Sequence, residues 1–158
     1  ASYLKLRKMK SLPVFYVKTA EIIGRVEKAV IGDDYTISYV VAEFSGREPG
    51  MILADDFELR EEALIIQDLN KIKSYAYGEE LSMYDSKMGD VIFNSEGREM
   101  GKVSDFIICP HTKKVWGLEV FSGAIKDLLE GRQEIALEQV CWKSVISGVL
   151  TEEGSDQS

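Results

Sequence analysis

Short runs of apolar residues, separated by polar turns, extend along most of the chain. β-Branched and aromatic residues dominate these runs, for example at residues 14–17, 37–44 and 115–121. Such residues favour strands, whereas the Gly, Asp, Asn and Pro residues between the runs favour turns. No run approaches the roughly 20 residues that a membrane-spanning helix needs. The pattern therefore predicts an all-β protein.

The same succession of runs and turns occurs twice, with the second copy 77 residues after the first. The residues that match across the two copies are Gly24 with Gly101, Arg25 with Lys102, Val26 with Val103, and the Phe-Ser-Gly triplet at 44–46 with that at 121–123. The offset holds without a gap from Val14 and Val91 onwards. A repeat of this length indicates a duplicated structural unit.

The repeat predicts two structural units and a tail. The first unit, with a basic N-terminal arm, is expected at residues 1–75, the second at 79–151, and an acidic tail at 152–158. The linker, residues 74–80, is short and aromatic, so we expect a fixed relation between the units. A unit of roughly 75 residues has a marginal core. We therefore expect the units to pack together, or the chain to pair with itself as a homo-oligomer.

Two segments need a choice between helix and strand. Residues 59–72 fit either a helix or a strand, and we favour a strand at 63–66 because the second unit ends in a strand at the matching place. Residues 124–131 have the apolar spacing of one and a half helical turns, with Gly131 placed to end them. Tyr39 and Val41 match Trp116 and Leu118, which predicts paired core positions.

The net charge of −8 is uneven, with 11 basic and 12 acidic residues at 1–78 but 8 and 15 at 79–158. This balance argues against a general nucleic-acid-binding protein. The arm is basic through Lys5, Arg7, Lys8 and Lys10, so ribosome contact is one interpretation of it. The other, which we favour, is a strand or turn docked on the first unit with its lysines in water. The first ten residues lack the apolar core of a signal peptide, which predicts a cytoplasmic protein.

Candidate chemistry is sparse. His111 is the single histidine, and Cys109 nearby could supply one more metal ligand, but no second ligand pair has a suitable spacing. The carboxylate pairs at 33–34 and 55–56 are more typical of solvated turns than of a cation site. Cys109 and Cys141 are expected to be buried thiols. We therefore predict no catalytic residue, no metal and no cofactor, and a protein that is not an enzyme.

The repeated unit resembles the PRC-barrel family, which includes a barrel of the photosynthetic reaction-centre H subunit and the C-terminal barrel of the ribosome maturation factor RimM. The residues that carry the resemblance are Gly24, Val26, Tyr39 and Val41 in the first copy, and Gly101, Val103, Trp116, Gly117, Leu118, Arg132, Glu138 and Val140 in the second. The closest resemblance is to stand-alone bacterial proteins with two barrels. It implies two small antiparallel β-barrels, with a short helical insertion in the second, that serve as interaction modules.

Three functions follow as hypotheses. The preferred one is a scaffold that binds another protein through a sheet edge or the 124–131 insertion, with Ile125, Leu128, Leu129 and Arg132 as candidate contact residues. The first alternative is ribosome or RNA association through the basic arm. The second is a small-ligand carrier whose barrel is lined by Tyr39, Trp116, Phe121 and Trp142, although a barrel this narrow is usually filled by its own side chains.

Overall fold

The computed structural model describes residues 2–75, 82–144 and 147–150. Most of the predicted linker and the whole acidic tail at 152–158 lie outside the described residues. The chain is mostly β, with 53% strand and 17% helix, and it contains a curled half-barrel sheet. The predicted all-β class is therefore confirmed. No helix among the described residues has the length and apolar character needed to cross a membrane.

The chain divides into two compact units, Ala1–Met83 with Ile108–Val115, and Tyr84–Ile107 with Trp116–Ser158. The repeat placed residues 108–115 in the second half, whereas the structure groups them with the first unit.

The first half of the chain contains eight strands among its described residues, together with one short helix. They are β1 (Leu4–Lys5), α1 (Leu6–Met9), β2 (Pro13–Tyr16), β3 (Glu21–Ile31), β4 (Ile37–Phe44), β5 (Arg47–Leu53), β6 (Glu58–Leu59), β7 (Leu64–Ile66) and β8 (Lys73–Ser74). A 3₁₀ turn, Ala54–Asp56, follows β5. The strand favoured at 63–66 is confirmed by β7.

The second half contains six strands and two helices among its described residues. They are α2 (Met83–Lys87), β9 (Val91–Phe93), β10 (Glu99–Cys109), β11 (Lys114–Phe121), α3 (Ala124–Glu130), β12 (Gln133–Ala136), β13 (Val140–Ser144) and β14 (Ser147–Leu150). Helix α3 confirms the predicted helical insertion. Gly131 follows it with a φ of 76° and donates its N–H to the Asp127 carbonyl, as expected for a glycine at a helix C-terminus.

The two sheets share an order of six strands, and β8 extends the first sheet at one end. The first runs β6-β7-β2-β3-β4-β5-β8, and the second runs β13-β14-β9-β10-β11-β12 when read from the corresponding end. A parallel pair occurs at the same place in each, β2 with β7 and β14 with β9, next to the antiparallel pairs β2 with β3 and β10 with β9. A parallel pair in a small antiparallel sheet is a specific feature. Its presence at the same place in both sheets is what a duplicated unit predicts.

The gapless alignment of the copies is wrong by one residue at β2 and β9. In the first sheet Gly24 is opposite Val14, but in the second Gly101 is opposite Ile92 rather than Val91. Val14 and Ile92 are both fully buried. A shift of one residue moves every side chain of a strand to the other face, so burial of the larger Ile92 side chain fixed the second register.

Irregular pairing accompanies the curvature of the first sheet. The register of β3 with β4 shifts between Val26 and Lys28 and again between Val30 and Ile31. Such β-bulges bend and twist a strand. On β4, three consecutive residues at 40–42 are fully buried, so both faces of this strand contact apolar groups. The strand therefore lacks a simple alternation of apolar and polar residues.

The prediction that Trp116 is a core residue is wrong. Tyr39, Val41 and Leu118 are buried as expected, but Trp116 is 38% exposed. Tyr39 pairs with Leu53 of β5 and lies 6.4 Å from the ring of Tyr75. In the second sheet, by contrast, the pairing of β11 with β12 begins only at Gly117. The β11–β12 pairing therefore does not extend to Trp116, whereas the β4–β5 pairing includes Tyr39.

The N-terminal arm packs on the first unit, as we favoured. Its apolar residues Leu4, Leu6, Met9 and Leu12 are buried. The backbone of Ser11 and Leu12 pairs with Val26 of β3 through two hydrogen bonds of 2.8 Å. Arg7, Lys8 and Lys10 are exposed, whereas Lys5 is half-buried. Residues 4–9 therefore form a two-residue strand followed by one helical turn, and they are not a free arm.

Candidate interaction site

Helix α3 carries two exposed apolar side chains next to each other. Leu128 is 84% exposed and Leu129 is 78% exposed, more than any other large apolar residue among those described as exposed. Lys126 and Glu130 on the same helix are also exposed. A scattered exposed leucine needs no explanation, but two adjacent ones with most of their area in water form a patch. We call Leu128 and Leu129 the α3 leucine pair.

The start of α3 is fixed by one carboxylate. Asp127 Oδ1 accepts hydrogen bonds from Ser122 Oγ at 2.9 Å and from Ser122 N–H at 3.3 Å. Ser122 directly follows β11, so this contact ties the helix to the end of the strand. The orientation of α3 is therefore set by a bond next to the leucine pair, and the pair is not carried on a free loop.

The end of the insertion is fixed by Arg132. Its Nη1 lies 3.0 Å from Oε1 of Glu119, whose side chain is fully buried, and its Nε lies 3.4 Å from Oδ2 of Asp127. The guanidinium also lies 5.2 Å from the centre of the Phe121 ring. Glu119 additionally accepts a 2.9 Å hydrogen bond from Ser104 Oγ. One arginine therefore bridges a buried strand carboxylate and a helix carboxylate.

The predicted contact residues differ in exposure and in their contacts within the chain. Leu128 and Leu129 are exposed on α3, whereas Arg132 is 40% exposed and is engaged with two carboxylates of its own unit. Ile125 belongs to α3, but its side chain lies outside the described residues. The structure thus leaves the α3 leucine pair as the apolar part of the surface and gives Arg132 a positioning role.

A cleft of about 610 Å³ in the first unit contains the predicted metal-ligand candidates. Its wall includes Phe57, Glu58, Cys109, His111 and Lys113. Cys109 and Cys141 are free and half-buried rather than fully buried. The pKa of Cys109 is lowered, chiefly by hydrogen bonds from the side chain and backbone of Thr112. Over the described ranges, no group of three or more His, Cys, Asp or Glu residues could hold a metal ion.

The acidic pairs are turn residues. Asp34 Oδ1 accepts a 3.0 Å hydrogen bond from the Thr36 N–H, which closes the turn between β3 and β4. Asp55 and Asp56 lie in the 3₁₀ turn after β5. These positions agree with the interpretation that favoured turns, because Asp side chains stabilise such turns through their own backbone.

The sequence did not predict the side-chain contacts of two residues, Glu119 and Lys113. Glu119 stands within the apolar run of β11, and nothing in the sequence separates a buried paired carboxylate there from one that points to water. Lys113 lies in the polar hairpin turn at residues 110–114. Its position at the end of this turn does not predict the partners of its side chain, because they are more than 50 residues away in the sequence.

No family model matches the chain, and no curated protein matches it either. The resemblance to the PRC-barrel family therefore stays a prediction.

Proposed function

We propose that this chain is a non-catalytic interaction protein, built from two PRC-type barrels, that binds another protein through the α3 leucine pair. The exposure of Leu128 and Leu129 on an anchored helix is the observation that carries the proposal. The common strand order of the two sheets supports the tandem-barrel part of it.

A partner that covers the α3 leucine pair would remove apolar area from water. Burying a leucine side chain is worth roughly 1.5–3 kcal/mol, so covering both would supply a substantial part of a binding free energy. Anchoring matters because a surface that is already ordered loses less conformational entropy on binding. The contacts of Asp127 and Arg132 hold α3 in place before any partner arrives.

The expected partner is a protein with a small apolar pocket. Helix α3 has only 7 residues, which is too short to fill a long groove. Lys126 and Glu130 would form a charged rim around the leucines, since charged groups at the rim add specificity and little affinity. Leu128 and Leu129 would be the central contacts.

The test is a pull-down with the full chain as bait, comparing the wild type with Leu128→Ser/Leu129→Ser. The matched control is Ile22→Ser, because Ile22 is 60% exposed but lies on β3 of the first unit. The proposal expects a reproducible partner that the double variant loses and the control retains. Equal recovery by the wild type and the double variant would contradict it.

The ribosome alternative stays a prediction, and it has its own test. Arg7, Lys8 and Lys10 present their side chains to water on the arm. Sedimentation with ribosomal subunits that depends on these residues, and that falls with salt, would support it. The small-ligand alternative and self-association of the chain also stay predictions.

A further inference from the structure

A short segment, residues 72–75, covers the outer edge of the first sheet. It contains β8, which pairs with β5 so that Ser74 is opposite Gly50. Ile72 packs over the same glycine, because a Cβ added to Gly50 would lie 2.5 Å from Ile72 Cγ2. The edge of β5 is therefore closed both by backbone pairing and by side chains. We call residues 72–75 the edge segment.

The edge segment covers one aromatic side chain on each face of the sheet. Phe44 lies beside Gly50 on one face, 3.1 Å from the place of the missing Cβ, and it is buried with Ile72 as its neighbour. On the other face Tyr75 packs against the buried Tyr39. Alternate residues of a strand point to opposite faces, so a segment of this length reaches both.

Strand β12 is the counterpart of β5. The 77-residue offset relates the pair of Ala42 with Gly50 to the pair of Glu119 with Glu134. In the described part of the second sheet, β12 pairs with β11 alone. Its sequence has no proline or lysine, and its pairing with β11 is regular, whereas exposed edges are often blocked by these residues or by a bulge. The outer edge of β12 therefore presents backbone groups that can pair with another strand.

The two aromatic residues at the matching positions are exposed. Phe121 matches Phe44 and is 37% exposed, compared with 9% for Phe44. Trp116 matches Tyr39 and is 38% exposed, compared with 8%. One aromatic side chain on each face of the second sheet thus lies partly in water. An added strand with the geometry of the edge segment would cover both.

The charge at this edge is negative. Glu134 is exposed and takes the place of Gly50, directly opposite the buried Glu119. Like charges in directly opposite positions destabilise a sheet. Arg132 is engaged by Glu119, and within the described ranges no ion pair reaches Glu134. The edge is therefore complementary to a cation where the first sheet has Ile72.

We propose that the outer edge of β12 binds an extended segment of another protein, which adds to the second sheet as an antiparallel strand. A Lys or Arg of that segment faces Glu134, and an aromatic or aliphatic side chain covers Trp116. In this mode of recognition the main-chain hydrogen bonds give affinity and the alternate side chains give specificity. The spacing of Ile72 and Tyr75 places the apolar residue within three positions after the basic one.

The chemistry of the edge selects another protein as its occupant. Residues 151–158 of this chain contain three acidic residues and no apolar one, so they match neither Glu134 nor Trp116. A second copy paired edge to edge would bring two acidic edges together. The proposal is independent of the α3 leucine pair, because it depends on the backbone of β12 and on Glu134.

The test selects binders from a phage-displayed library of random short peptides, with the full chain as bait. We expect enriched peptides to contain a Lys or Arg followed within three positions by an apolar residue, and to slow hydrogen exchange within residues 133–136. Synthetic copies are then methylated on alternate backbone nitrogens, in each of the two registers. Only one register should abolish binding, because a strand pairs with a given neighbour through every second residue. Equal binding by both methylated registers would overturn the proposal.

Three variants complete the design, and circular dichroism checks that each folds. Glu134→Lys should weaken the selected peptides roughly tenfold at low salt, because it places like charges together. Glu96→Lys makes the same change of charge at an exposed turn and should retain binding, as should Leu128→Ser/Leu129→Ser. Peptides that depend on the leucines and leave exchange at 133–136 unchanged would overturn this proposal and support the α3 site. A selection without any enriched peptide would also overturn it, while the α3 site keeps its own pull-down test.

Discussion

Arg132 Nη1 lies 3.0 Å from Oε1 of Glu119, a carboxylate with no solvent exposure. By the 77-residue offset, Glu119 occupies the position of Ala42 in the first copy, which is also fully buried. The second unit thus places a charge where the first has a methyl group. An unpaired buried carboxylate is costly, so the residue that follows the α3 insertion supplies its partner.

Removing the arginine should destabilise the second unit. Arg132→Met removes the cation that pairs with the buried Glu119 carboxylate, so we expect a loss of about 2–3 kcal/mol in the free energy of unfolding. Urea denaturation at neutral pH measures it. The control is Arg60→Met, because Arg60 and Glu58 form an exposed pair, which should be worth at most about 1 kcal/mol. Equal losses in both variants would contradict the bridging role of Arg132.

Asp90 should make stability depend on pH. Burial raises its pKa above 3.8, and Lys87, with Nζ 4.0 Å from Oδ2, opposes this only in part. The folded protein then binds a proton more tightly than the unfolded one. The stability contributed by this proton is present below pH 3.8 and is lost as the pH rises through the folded-state pKa.

Asp90→Asn should therefore be more stable than the wild type at pH 7, by about 1 kcal/mol, because it removes a buried charge whose Oδ2 lacks a hydrogen bond. The difference should vanish below pH 3.8, where Asp90 is neutral in both states. Thermal unfolding across this pH range gives the measurement. Asp85→Asn, at an exposed position on α2, is the control for the removal of one negative charge. A less stable Asp90→Asn variant at pH 7 would mean that the Lys87 ion pair outweighs the cost of burial.

Gly101 should not tolerate a side chain. A Cβ there would lie 2.2 Å from the Phe121 carbonyl oxygen, and the φ of 147° also disfavours other residues. Its counterpart Gly24 would place a Cβ 2.3 Å from the Glu43 carbonyl oxygen. Because backbone must move in each case, we expect Gly101→Ala and Gly24→Ala to lose roughly 2–3 kcal/mol. Gly97→Ala has open space around it but also a positive φ of 82°, so it should lose only the backbone-strain part, about 1 kcal/mol, when tested by urea denaturation.

The α3 leucine pair should contribute little to folding. Leu128→Ser/Leu129→Ser should change the free energy of unfolding by less than about 0.5 kcal/mol, as for other exposed positions. Leu118→Ala, at a fully buried site on β11, should lose about 2–5 kcal/mol. The same denaturation experiment compares the two. A large loss in the double variant would show that the leucines pack within the chain, and it would remove the basis of the proposed interaction surface.

Most strands could be predicted because their information is local. The β-branched runs gave β2, β4 and β11, and the turn residues placed the breaks between them. The insertion was also predictable, since the spacing of its leucines and Gly131 suits a short helix. Its role was harder to predict, because the exposure of Leu128 and Leu129 depends on which side of α3 the Asp127 and Arg132 contacts hold against the strand.

The register of β9 and the solvent exposure of Trp116 could not be predicted from local patterns. Ile92 rather than Val91 faces Gly101, since the choice depends on which side chain best fills the interior. Trp116 is exposed although Tyr39 is buried, because the β11–β12 pairing stops at Gly117 whereas the β4–β5 pairing includes Tyr39. Both outcomes depend on a neighbouring strand, and an alignment of the two copies contains no information on that neighbour.

The sequence by itself determined the strands, their duplication and the short helix, because each follows from the order of apolar residues, turn residues and glycines along the chain. Only the tertiary structure decided that Arg132 pairs with Glu119 and that Lys113 Nζ reaches the carbonyls of Ala54 and Phe57. These partners are 13 and more than 50 residues apart in sequence. Long-range pairs of this kind form only when folding removes both groups from water and leaves each as the best available partner of the other.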